Sequence, residues 1–270
     1  MILEMLNIRL IMKKLKTIIT AVALLLSVPF MQSCLDENDQ FDNLASEMPS
    51  DATMATIITP SEIKGETIID DDKTGHAYVV NPDILINKNA NNPGQRIFYS
   101  YKSAESPKGP TDSRAPFIGI TWMLKVLTKD MDTLTVEKDH LFGNDPINLK
   151  GIYVSKKHLN LQFQILGYNP NIKHRISLVA PLDAKPDAKG YLSVELRHNA
   201  EEDAPMNPSF GYVSFILESA PGFKEGTLKG FIIKNKTMNS ETETTEVSLQ
   251  NTSPKGLNFK FEYPSNTKTK

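Results

Sequence analysis

One cysteine, one tryptophan and the absence of any long apolar run define this 270-residue chain first by what it lacks. The single cysteine, Cys34, excludes an internal disulfide. Without a C-x-x-C pair, thiol redox exchange and cysteine-ligated zinc are excluded as well. None of the five histidines (His76, His140, His158, His174, His198) stands in H-x-x-x-H or H-E-x-x-H spacing, so the zinc-protease pattern is missing. There is no G-x-S-x-G and no glycine-rich phosphate loop, which removes the commonest hydrolase and nucleotide signals. Charge is balanced, 30 basic against 32 acidic residues, with no basic patch, so nucleic acid is not an expected partner. No segment longer than about two helical turns shows 3.6-residue periodicity, which argues against a parallel α/β architecture.

What is present begins with Met12-Lys13-Lys14-Leu15-Lys16, followed by the apolar residues 17–30 (TIITAVALLLSVPF) and then Met31-Gln32-Ser33-Cys34. A membrane span needs roughly 20 apolar residues. A charged start with a shorter apolar core reads instead as a secretory leader. Residues 1–33 are therefore expected to be a lipoprotein-type signal peptide, with the true start at Met12. Cys34 is expected to accept a diacylglycerol and palmitate-type chains, although Met31 and Gln32 stand where such a box usually has Leu and Ala or Ser. Acyl chains in pairs anchor firmly where a single chain binds reversibly. Residues 34–52 read as the lipidated Cys and a flexible tether. The acidic run Leu35-Asp36-Glu37-Asn38-Asp39-Gln40 resembles the surface-export signal of lipoproteins in gut-type Gram-negative anaerobes. That resemblance implies an outer-membrane lipoprotein exposed at the cell surface. A solvated linker on a periplasm-facing lipoprotein is the alternative.

From residue 53 onward the pattern is strands. In the first half they are expected at 53–59, 66–69, 76–81, 84–86, 96–101, 117–127 and 133–137, within a module covering 53–145. The segment 141–150 (LFGNDPINLK) reads as a boundary because of its Gly and its Asn-Asp-Pro turn. A second module, 150–265, carries expected strands at 151–155, 159–166, 174–179, 191–198, 211–218, 227–234, 246–249 and 257–263. In 159–165 the apolar residues alternate with Asn160, Gln162 and Gln164, so one set faces inward and the other faces solvent. Such strands without crossover helices argue for an all-β, antiparallel two-sheet sandwich. The polar run 235–246 (NKTMNSETETTE) is expected to be a long hairpin loop.

Three stretches of the second half carry a family resemblance. They are 153–163 (YVSKKHLNLQF), 173–179 (KHRISLV) and 191–200 (YLSVELRHNA), the last followed by Glu201-Glu202-Asp203. They resemble the NigD-like lipoproteins, most distinctively in Val194-Glu195-Leu196-Arg197-His198-Asn199-Ala200. The resemblance implies an OB-like N-terminal β-barrel and an immunoglobulin-like C-terminal sandwich. It supplies no catalytic residues, and its name implies a bacteriocin-immunity or self-protection role.

Each candidate chemistry rests on particular residues. His158, His174 and His198 lie in or beside strands of one module and are candidates to converge on a metal. Glu195, Arg197 and His198 form a catalytic-looking set, but the simpler expectation is a same-face Glu195–Arg197 ion pair beside a turn-forming His198. The run Asp70-Asp71-Asp72-Lys73-Thr74-Gly75 lacks the spacing of a Ca²⁺ loop and reads as an acidic hairpin turn. On an OB-like barrel, Tyr99, Tyr101 and Trp122 are the candidate stacking aromatics. The expectation is a non-enzymatic, membrane-anchored protein without cofactor or metal, binding an envelope protein, a peptide or a glycan. An envelope hydrolase is the weaker alternative.

Overall fold

The computed structural model describes residues 48–107 and 115–250. The leader, Cys34, the first part of the tether (34–47), the centre of the 102–116 loop and the expected strand at 257–263 lie outside the described residues. Among the described residues no helix is long and apolar enough to cross a membrane.

Strands β1 (Thr53–Thr59), β2 (Thr67–Asp71), β3 (Gly75–Val79), β4 (Arg96–Ser103) and β5 (Phe117–Lys125) close into a barrel of order β1-β2-β3-β5-β4. Only β3 and β5 run parallel. The crossover between β3 and β4 contains the short helix α1 (Asp83–Ile86), where the apolar piece 84–86 reads as a strand in the sequence. Period-two alternation puts Ala55, Ile57, Ile69, Ala77, Val79, Ile97, Tyr99, Ile118 and Ile120 inside, and α1 adds Leu85 to this core. Five strands in this closed order form an OB-type barrel.

The second module is a two-layer sandwich. Its elements are β6 (Leu127–Asp130), β7 (Asp132–Leu134), α2 (Asp139–Phe142), β8 (Asn148–Val154), β9 (His158–Gly167), β10 (Arg175–Pro181), β11 (Tyr191–Asn199), β12 (Asn207–Ile216), β13 (Gly230–Lys236) and β14 (Thr242–Ser248). One sheet runs β14-β13-β11-β10-β7 and the other β6-β12-β9-β8. Leu161, Phe163, Leu178, Val194, Phe215, Phe231 and Ile233 fill the space between them.

Three features differ from the sequence expectation. The strand expected at 133–137 does not finish the barrel: β6 and β7 already belong to the sandwich, ahead of the boundary expected at 141–150. The chain changes sheet at Met131, whose N–H donates to Ser219 Oγ at 2.9 Å. This crossing strand also brings parallel pairs, β6 with β12 and β7 with β10, into a sandwich that is otherwise mostly antiparallel; β11 with β13 is the third. The expected loop 235–246 is largely strand, since β13 runs to Lys236 and β14 starts at Thr242. Alternation fails there because β14 is an edge strand with mostly exposed Thr and Glu.

Candidate functional site

The barrel and the sandwich meet at a seam that the strand pattern conceals. Met54, Phe98 and Val126 pack with Tyr212 of β12, bordered by Trp122, Leu124 and Tyr153. The Phe98 and Tyr212 rings meet edge to face, centroids 4.7 Å apart. Beside them Arg96 is fully buried, 0% exposed. Its guanidinium grips Asp72 through both carboxylate oxygens (2.7 and 2.5 Å) and donates to Thr56 Oγ1 (3.1 Å), Tyr153 Oη (3.0 Å) and Asn160 Oδ1 (3.3 Å). Ser214 donates to the same Asn160 oxygen at 2.7 Å. One side chain of β4 thus joins a barrel turn to β8, β9 and β12. Burial pushes the Tyr153 hydroxyl up, the Asp72 charge adds to this, and the group remains a phenol. His158, Asn160 and Gln162 are all buried; the two amides were expected to face solvent, but the barrel covers that face of β9.

The acidic turn is occupied by structural bonds. Asp71 accepts the N–H groups of Lys73 and Thr74 and the Thr74 and Tyr99 hydroxyls. Asp72 binds Arg96, and Asp70 pairs with exposed Lys156 at 3.3 Å. Among the described residues no group of three or more His, Cys, Asp or Glu is arranged to hold a metal ion.

The candidate aromatics do not form one platform. Tyr99 is 1% exposed in the barrel core, donating to Asp71, and it stacks on Tyr101, which is 37% exposed. Trp122 lies with the seam cluster instead. Alternation along β4 separates them: Tyr99 points into the barrel, whereas Phe98 and the seam residues lie on its outside. The sequence pattern misses a different aromatic pair. Tyr78 of β3 and Phe117 of β5 stack with centroids 5.1 Å apart and rings 23° from parallel. Both alternate with core residues, so they sit on the outer barrel face. Ile68 of β2 is the direct partner of Tyr78, making a three-strand row Ile68–Tyr78–Phe117. Ile63, 57% exposed, lies in the preceding β1–β2 loop. Gly65 at φ +78° brings its backbone against Phe117, where a Cβ would come within 3.2 Å of the ring. The one signal in the sequence is Tyr78 falling out of phase with Ala77 and Val79, but pairing with Phe117 is a long-range contact that alternation cannot show.

The stretch 194–200 anchors the segment between α2 and β8. Arg197 donates to the Gly143 carbonyl at 3.0 Å and pairs with Asp139 and, at 2.7 Å, with Glu195. Asn199 reaches the Leu141 carbonyl, and Asp145 accepts the Ala200 N–H at 2.8 Å. Gly143, at φ +62°, allows this approach, since a Cβ would meet Asn199 and the His198 carbonyl oxygen at 2.7 Å. The Glu195–Arg197 ion pair stands as expected. His198 is not a turn residue but a buried strand residue, 1% exposed, with His174 (4%) stacked on it at 5.0 Å. Their rings are linked, His174 Nδ1 to His198 Nε2, at 2.9 Å. His158 is on β9 and is not part of this pair.

These observations define a class: a two-module β protein, an OB-type barrel clasped to an immunoglobulin-like sandwich. Residues 130–249 match the family model described as the NigD-like C-terminal beta sandwich domain. Residues 130–249 thus form a NigD-like C-terminal domain. Solved structures share the fold at low identity. A protein of unknown function from Bacteroides vulgatus is 22% identical, covering 73% of this chain and 89% of its own, with a TM-score of 0.58. A NigD-like immunity protein from Bacteroides caccae is 14% identical over 74% and 98%, TM-score 0.50. A candidate lipoprotein from Bacteroides fragilis is 11% identical over 73% and 96%, TM-score 0.50. The comparison with curated proteins gave no match.

Proposed function

We propose that this chain is a lipid-anchored envelope protein that acts by binding a protein or peptide partner through its barrel, and that it is not an enzyme. The observation that carries this reading is the apolar row Ile68–Tyr78–Phe117, with exposed Ile63 in the β1–β2 loop. OB-type barrels bind ligands on the face of strands 2 and 3 and the adjoining loops. That is an analogy of fold, and the chemistry of the row decides the ligand class. The two rings stack on each other and Ile68 stands opposite Tyr78, which suits apolar side chains better than a stacked sugar. The polar side chains that would have to serve catalysis, Asp71, Asp72, Glu195, Arg197 and the two linked histidines, are engaged in structural bonds.

The anchor is tested separately. Cys34→Ala is expected to leave the two modules folded and move the protein from the membrane fraction to the soluble fraction. Retention in the membrane fraction contradicts the anchor. Surface exposure is the preferred face, and loss of the protein from intact cells on added protease checks it. A second reading, immunity against a bacteriocin, is favoured by the name of the Bacteroides caccae neighbour. It predicts that deleting the gene sensitises cells to the cognate toxin.

A further inference from the structure

The end of the sandwich holds a buried hydrogen-bonded chain whose geometry fixes its number of protons. His198 Nδ1 faces the Pro146 carbonyl at 3.0 Å. His198 Nε2 faces His174 Nδ1 at 2.9 Å, and His174 Nε2 faces Asp203 Oδ2 at 3.1 Å. A carbonyl only accepts, so His198 Nδ1 carries a hydrogen. Each of the other two contacts also needs one hydrogen, no more and no fewer. Three contacts therefore hold three hydrogens, and the chain as a whole is neutral. With one fewer, two lone pairs face each other; with one more, two N–H groups do.

The environment places the protons. Asp203 accepts the N–H groups of Tyr168 (2.7 Å), Asn169 (3.1 Å) and Ala204 (2.9 Å). Burial opposes its charge, but these donors and His174 outweigh burial and hold the carboxyl below the usual range. Burial, with the neighbouring His174, pushes His198 down to about 4 against the Pro146 bond. Asp203 is thus a carboxylate and His198 is neutral, with its Nδ1 hydrogen donated to the Pro146 carbonyl.

We propose that Asp203, His174 and His198 form a fixed-proton latch that ties together the segments 139–147, 168–174 and 200–206 and lets go when the chain takes up one further proton. Each segment is held by one member of the chain: the first through Pro146, the second through the Tyr168 and Asn169 amides, the third through Asp203 itself. Gly167 permits this packing, since a Cβ there would lie 3.0 Å from Asp203 Oδ2 and 3.1 Å from the His174 ring. The charged groups on the packed elements are few. The Asp145 charge favours protonation of His198. Arg175 of β10 lies over Phe142, Arg197 of β11 turns to Asp139 and Glu195, and Lys236 of β13 reaches the Asn144 carbonyl. Lys173, His140, Glu201 and Glu202 complete the set in the three segments. None of the outlying groups replaces a bond of the chain.

The test is histidine-ring ¹⁵N NMR on the intact chain from pH 7.5 to 4, with amide protection factors for Tyr168, Asn169, Ala200 and Ala204. At pH 7.5 His198 is expected to show the Nδ1–H form. Between about pH 6.5 and about 4, where the opened segment binds a proton that the closed chain does not, protection of the four amides falls about tenfold per pH unit, the slope of one linked proton. In His198→Gln the four amides keep their protection across the same range. A His198 carrying its hydrogen on Nε2 at pH 7.5, or amides indifferent to His198 protonation, overturns the latch. If His198→Gln does not fold, the wild-type ring signals and amides still decide it.

Discussion

Replacing Arg96 with Met lowers the unfolding free energy by about 3–5 kcal/mol, the cost of removing one partner from a buried ion pair. Arg96 has no solvent exposure, and its loss strands the Asp72 carboxylate and leaves the Asn160 oxygen and the Tyr153 hydroxyl without their common donor. For a chain of this size that corresponds to a melting temperature about 6–20 °C lower. Because the guanidinium bonds to both modules, the single unfolding transition expected of the wild type should broaden or split. In an Asp72→Asn background the same replacement should cost less by about 1–3 kcal/mol, the signature of a coupled pair. Urea denaturation of the four variants measures this. A loss under about 1 kcal/mol, the range of a surface ion pair, would show that the seam is peripheral.

Acid weakens the fold through two buried histidines. Burial, with the Arg96 and Lys157 charges, lowers His158 to about 3, and burial with His174 lowers His198 to about 4. In the unfolded chain both titrate near about 6.5. The unfolded state therefore binds more protons below about pH 6.5, and stability falls as the pH falls. It is fully present above that value, and each contribution stops declining once the pH passes below the folded value. At pH 4 the two together cost on the order of 6 kcal/mol relative to pH 7. Unfolding free energies measured at pH 7, 5.5 and 4.5 should fall steadily, and His158→Gln should remove about half of the slope. A profile flat from pH 7 to 4.5 would mean that these rings are hydrated.

Strands are legible in this sequence, and contacts between modules are not. Strict alternation in β9 and β11 identifies which residues fill the sandwich. The same alternation assigns Asn160 and Gln162 to solvent, because polarity marks a face as not core but does not say what covers it. Asn160 is bonded by Arg96, which lies 64 positions away in the chain. Residue type alone overrates Tyr99 and overlooks the Tyr78–Phe117 row. The pairing of His174 with His198 follows from the register of β10 and β11, where Ile176 faces His198, and that register is not readable from either strand alone. The most distinctive part of the family resemblance is 194–200, where Arg197 and Asn199 bind the segment that runs from α2 to β8.

Binding through the barrel face is tested most directly by aromatic-ring NMR of the intact chain, titrated with a defined library of soluble apolar peptides and, separately, with soluble oligosaccharides. Tyr78 and Phe117 resonances should shift with peptides and not with sugars, Trp122 should stay unmoved, and Tyr78→Ser/Phe117→Ser should abolish the response. Shifts with oligosaccharides alone, shifts centred away from Tyr78 and Phe117, or turnover of either library would contradict it.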